Sequence, residues 1–119
     1  NSIDVRRENG AYLVGTGSQP IPWKSPEGDT DRWIAGFRPS DVQIARGGEG
    51  LKGIVRRANF LGAMMDYLIE IDGVHLRTSI ETHRALSDDL MFKAGDPCTV
   101  RFLNLLWFEA DKVKEAANP

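Results

Sequence analysis

The sequence predicts an all-β chain: a small, helix-poor barrel assembled from short hairpins. Three observations carry that expectation. Side chains alternate at period two through Tyr67, Ile69 and Ile71 against Glu70 and Asp72, and again through Val74, Leu76, Thr78 and Ile80 against His75, Arg77 and Ser79, the pattern of strands with one buried face. Asn9-Gly10 and Asp72-Gly73 tolerate the positive φ that two-residue hairpin turns require. Gly and Pro punctuate the rest at short intervals, with no long helical period between them. Barrel closure hides strand edges that otherwise recruit other chains.

Taken in order, Ser2 to Arg7 reads as a strand, Glu8-Asn9-Gly10 as a turn, and Ala11 to Val14 as the returning partner. From Gly15 to Asp31 the composition shifts to Gly, Pro, Ser and acid. Pro20, Pro22 and Pro26 lack the donor that a central strand needs, so this stretch reads as a loop between two halves of one domain. Short edge pairing at Ile21 or Trp23 survives that argument, and a flexible linker is the alternative. Trp33 to Phe37 resumes as a strand, and Arg38-Pro39-Ser40-Asp41 turns the chain, with Pro39 holding Arg38 extended. Val42 to Ala45 is the next strand, followed by a loose connection through Gly47, Gly48 and Gly50.

Leu51 to Leu61 is a long strand in which Gly53 marks a bend or bulge. Gly62 permits the reversal after Phe60-Leu61. Asp72-Gly73 then joins the two alternating strands in the most clearly signalled hairpin of the chain. Glu81 to Lys93 is weakly patterned, either one helical turn or a loop carrying Leu86, Leu90 and Phe92. Gly95-Asp96-Pro97 launches a strand from Cys98 to Leu103, and Leu105 to Phe108 adds apolar residues near the end. Asp111 to Asn118 reads as a frayed polar tail. The expected organisation is one domain: residues 1–31 complete the barrel, 32–110 form its core, and 111–119 are tail.

Composition narrows function. The chain has 119 residues, 15 basic and 17 acidic, for a net charge of −2. A nucleic-acid binder needs excess cations to displace counterions from phosphates, and here only Arg6-Arg7 and Arg56-Arg57 suggest a local basic patch. On a regular strand, Arg56 and Arg57 point to opposite faces. The single Cys98 excludes an internal disulfide and suits a reducing compartment. The apolar runs are too short to cross a bilayer as a helix. A chain opening on Asn1, without Met, reads as a piece of a longer protein.

No constellation for catalysis emerges. His75, His83 and Cys98 are the soft metal ligands available, without the paired spacing of a zinc site. Cys98 opens an apolar strand and reads as a packed, inert thiol. Asp88-Asp89 lie in a polar stretch with nothing to raise a pKa. Gly15-Thr16-Gly17 is a fragment of a phosphate loop whose third glycine is replaced by Pro20, and no Gly-Lys pair exists to form an ATP-binding loop. The guanidinium of Arg38 is suited to clamping an anion or to pairing with an acid such as Asp41; as an internal pair it locks the turn. Trp107 and Phe108 either fill the core or anchor a second copy.

The stretch Gly36-Phe37-Arg38-Pro39-Ser40-Asp41-Val42 resembles the Gly–apolar–Arg-Pro element of the accessory domain in ABC importer ATPases of the maltose, polyamine and ferric-iron types. Gly53-Ile54-Val55, then Asn59-Phe60-Leu61-Gly62, then Tyr67 and Ile69 before Asp72-Gly73 and Leu76, follow in the family's order, as do Gly95-Asp96, Val100 and Phe108. The chain is departing from the family where Ser40 stands for its common Glu. Phe60-Leu61-Gly62 is closer to the polyamine and iron branch. The resemblance implies a TOBE domain, an OB-like barrel that regulates and pairs ATP-binding subunits without chemistry of its own. ATP and magnesium then belong to the parent subunit's catalytic domain, as do contacts to membrane permease subunits. It also implies a homodimer, peripheral to the cytoplasmic face of the inner membrane, with no direct insertion; the acidic balance argues against nucleic acid. The alternatives are a free-standing binder of a molybdate-like oxyanion, for which Ser79 and Thr82 are candidate ligands, and an OB-fold binder of single-stranded nucleic acid with an aromatic, basic groove.

Overall fold

A computed structural model describes residues 2–22, 26 and 28–112. Among the described residues nine strands run β1 (Ser2–Glu8), β2 (Ala11–Val14), β3 (Arg32–Gly36), β4 (Val42–Ala45), β5 (Leu51–Phe60), β6 (Met64–Ile71), β7 (Val74–Glu81), β8 (Pro97–Phe102) and β9 (Leu106–Glu109). A 3-10 turn, Pro39–Asp41, precedes β4, and one short helix, α1 (Thr82–Ser87), follows β7. The all-β, OB-like expectation therefore holds.

The strands form two antiparallel sheets. The larger has the order β4-β8-β5-β6-β7 and the smaller β2-β1-β3-β9. Residues 1–31 were expected to complete the barrel; instead β1 and β2 join β3 and β9 in a sheet of their own. In the larger sheet, Tyr67, Ile69 and Ile71 face inward with Leu76 and Ile80, against Leu51, Val55 and Val100. That alternation is the period-two pattern of the sequence made solid. The β6–β7 register pairs Ile71 with Val74 across the Asp72-Gly73 turn, where both residues have positive φ.

The larger sheet curls into a half-barrel that brings the start of β4 within reach of β7. No backbone ladder joins β4 to β7; the hydroxyl of buried Thr78 donates to the Val42 carbonyl across the seam at 3.2 Å. A buried hydroxyl needs such a partner, and here it ties the two edges of the curled sheet at one point. The far end is sealed by the segment after α1. Tyr67, fully buried, donates to the Leu90 carbonyl at 2.7 Å and accepts from the Phe92 amide at 3.1 Å. The Phe92 ring lies edge-on to Tyr67 and beneath the guanidinium of Arg46, 4.5 Å from its centroid.

Two local expectations change. The bulge in β5 falls between Val55 and Arg57, not at Gly53. It undoes strict alternation, so Arg56 and Arg57 are both exposed instead of facing opposite sides. Gly53 serves close approach: a Cβ there would sit 3.0 Å from the Glu70 carbonyl oxygen and from the side chains of Ile69 and Ile71. The apolar run Leu105 to Phe108 contains a ninth strand, β9, paired with β3.

Candidate functional site

Asp41 is the hub of the Arg38-Pro39-Ser40-Asp41 turn. Its buried carboxylate accepts from the Arg38 amide at 3.1 Å, from Arg38 Nε at 3.2 Å and from Asn104 Nδ2 at 3.3 Å. Its carbonyl accepts from the Leu103 amide at 2.7 Å. One residue thus ties the β3–β4 turn to the β8–β9 crossover. The Arg38 guanidinium bonded to it, with the Arg38 amide and Asn104, holds this carboxyl below its ordinary range. The Arg38 side chain is 76% exposed, so the lock resides in Asp41 and the arginine covers it from outside.

Asp72 and Gly73 lie at the joint between the sheets. The turn after β2 lays Gly15-Thr16-Gly17 directly on them. A Cβ at Gly15 would lie 2.6 Å from the Asp72 carbonyl oxygen, and one at Gly17 would lie 2.1 Å from Asp72 Cγ. The two glycines that resemble a phosphate loop are there for contact between sheets. Gln19 completes the joint, donating to the Lys52 carbonyl at 2.8 Å and to Asp72 Oδ1 at 3.2 Å while accepting from the Lys52 amide at 2.6 Å. Arg6 donates to the carbonyls of Gly15 and Gly17. Arg7 donates to the carbonyls of Gly28 and Asp29 and to Asp31. The N-terminal arginines are thus spent on holding loops. None of these roles for Arg6, Arg7 and Gln19 is signalled by the sequence, because each depends on which carbonyls the loops bring near.

Phe60 and Leu61 occupy the tip of the β5–β6 hairpin at 66% and 65% exposure. Gly62 turns the chain with φ +77, and its carbonyl accepts from the Thr82 hydroxyl at 2.6 Å. The tip is a braced turn presenting two apolar side chains. The edge expected within 15–31 forms at Pro20-Ile21, where Leu13 bridges Pro20 and the Ile21 amide donates to the Tyr12 carbonyl; Trp23 lies outside the described residues, as does the tail beyond Lys112.

At the free edge of the smaller sheet, Trp107 and Phe108 part ways. Trp107 turns inward against Trp33, with ring centroids 6.4 Å apart, and against Tyr12 at 6.2 Å. Phe108 turns outward, its ring over Gly36 and 47% exposed, beside Leu106 at 66%. Strand β9 pairs with β3 on one side and with nothing on the other among the described residues. An apolar, one-sided edge is a template for association. Leu106 has no marker in the sequence beyond its place in an apolar run.

The groups that invite chemistry are placed as follows. Cys98 is buried, and burial raises its thiol to about 11. Exposed His75 lies 3.3 Å from Glu70, which also pairs with Arg56 at 2.8 Å; His83 is exposed on α1. Among the described residues no group of three or more His, Cys, Asp or Glu is placed to hold a metal. Ser79 donates to Asp66 and Thr82 to the Gly62 carbonyl, so neither hydroxyl is free to serve an oxyanion. Asp88 pairs with Arg84 and Asp89 with Arg46. On the outer face of the barrel, Arg57 and Arg77 flank Leu68 in register. Among the described residues no helix is long and apolar enough to cross a membrane.

A family model described as TOBE domain matches residues 35–104, well over half of the chain. The match spans the barrel and the Asp41 turn, and leaves out β1, β2 and β9. No curated protein matches the chain.

Proposed function

The chain belongs to the TOBE domain family, a non-catalytic regulatory or binding domain associated with ABC transporters, and from that premise we propose that it pairs and regulates the ATP-binding subunits of an importer. The observation carrying this reading is the apolar edge of β9, where Leu106 and Phe108 stand exposed beside unpaired backbone. Two copies meeting along β9 bury these side chains and extend one sheet into the other by a two-fold axis. Docked domains hold two ATP-binding subunits together. A partner or ligand that prefers one docked arrangement then shifts the transport cycle by its differential affinity.

In this reading ATP and magnesium bind the catalytic domain of the parent subunit, permease subunits dock there, and the assembly works at the cytoplasmic face of the inner membrane. Phe60-Leu61-Gly62 favours the polyamine or ferric-iron branch. Sedimentation of the wild type against Leu106→Lys and Phe108→Asp tests the pairing. A wild-type dimer that both variants convert to monomer is the expected outcome, with Leu61→Lys at the hairpin tip leaving the dimer intact. A wild type that stays monomeric at high concentration refutes pairing through this domain, and a reading frame without an ATP-binding loop before Asn1 refutes the parent assignment.

A further inference from the structure

A cavity of about 660 Å³ opens between the smaller sheet and the β6–β7 turn. It falls within the roughly 300–1,000 Å³ of small-molecule sites, and it lies at a joint between packed units, where such sites concentrate. Its lining includes apolar Ile34 and Val74, Gly73 and Thr16 of the joint, and three charged residues, Asp4, Arg6 and Arg32. Among the described residues neither the Asp4 carboxylate nor the Arg32 guanidinium has a hydrogen-bond or ion-pair partner.

The two are diagonal neighbours on one face. Asp4 on β1 stands opposite Ile34 on β3, and Arg32 lies two residues from Ile34, a separation of roughly 7–8 Å. Arg32 stands directly opposite Arg6, a like-charge pairing that costs stability unless an anion intervenes. Arg6 itself is spent, bound to Glu8 at 3.1 Å and to the Gly15 and Gly17 carbonyls. With Arg6 balanced by Glu8, the remaining walls offer one free anion and one free cation beside an apolar surface. A simple anion uses half of that set, and a molecule carrying both charges uses all of it.

We propose that this crevice binds a small zwitterion, an α-amino acid with an apolar side chain, its carboxylate on Arg32, its ammonium on Asp4 and its side chain against Ile34 and Val74. The site adjoins β9, since Ile34 is the register partner of Phe108; its test reads ligand binding and not association, so its failure is distinguishable from a failure of pairing. The test is a nitrogen-edited NMR titration of the intact chain with L-leucine, and with acetate and ethylammonium as its separate halves. Saturable shifts at Ile34, Gly73 and Val74 are expected for leucine, with weaker responses to either half. Asp4→Asn and Arg32→Gln, both at exposed positions, each weaken leucine binding by roughly fivefold while circular dichroism stays unchanged. An absence of saturable shifts overturns the proposal. So does a response to acetate equal to that to leucine with Asp4→Asn silent, which describes a plain anion site.

Discussion

The two sheets are held together by different physics. The barrel spends its side chains inward: Tyr67, Ile69, Ile71, Val55 and Val100 are fully buried, and buried Thr78, Asp41 and the Tyr67 hydroxyl each meet a partner. The smaller sheet shares one hydrophobic core with the barrel; at its β9 side half-buried Trp107 leans on Trp33, and its loops are held by Arg6 and Arg7 bonded to carbonyls. It also keeps an apolar edge exposed. The family match follows the same line, covering the barrel and omitting β1, β2 and β9. The family match thus follows the barrel, while exposed apolar side chains occur in both halves, at the Phe60-Leu61 tip and along β9.

That contrast breaks first under truncation of an aromatic in each half. Tyr67→Ala removes a fully buried ring and orphans the Phe92 amide, and should cost about 3–5 kcal/mol. Trp107→Ala, half-buried in the smaller sheet, should cost about 1–2 kcal/mol. Urea unfolding measures both, and equal losses would erase the distinction. The joint comes next. Gly15→Ala places a Cβ 2.6 Å from the Asp72 carbonyl oxygen at φ +57, and should cost about 1–3 kcal/mol. An unchanged midpoint would mean that the sheets do not depend on this contact.

The smallest effect is read in acid. Arg38 and Asn104 lower the folded pKa of Asp41 below its ordinary 3.8. Ionised Asp41 therefore contributes stability that is present above pH 3.8 and is lost as pH falls through the lowered folded value. Asp41→Asn should show its deficit at neutral pH, with the gap to the wild type narrowing in acid. A gap independent of pH would place the effect of Asp41 in packing alone.

The barrel was legible because its hairpins obey local rules. Period two runs through Tyr67, Ile69 and Ile71 and resumes through Val74, Leu76, Thr78 and Ile80, and Asp72-Gly73 between them announces its own turn. The smaller sheet was harder to read because its partners are distant in sequence: β3 lies between β1 and β9, and nothing in Leu105-Leu106-Trp107-Phe108 alternates to mark a strand. The β5 bulge escaped for a related reason. Gly53 looks like the weak point locally, whereas the real irregularity arises where the Val55 amide and carbonyl turn away to the Asp96 carbonyl and the Gly95 amide. Of the singled-out residues, Arg38 and Asp41 meet as the turn implies, Asp72 acquires an inter-sheet role that only the fold reveals, and Trp107 and Phe108 separate into core and surface.

Amide hydrogen exchange followed across protein concentration tests the division of labour most directly. Protection should rise with concentration along β9, as two copies cover Leu106 and Phe108, while amides of β5, β6 and β7 exchange at unchanged rates. Protection of β9 that ignores concentration, or a rise at the β4–β7 seam instead, would contradict the assignment of association to the smaller sheet.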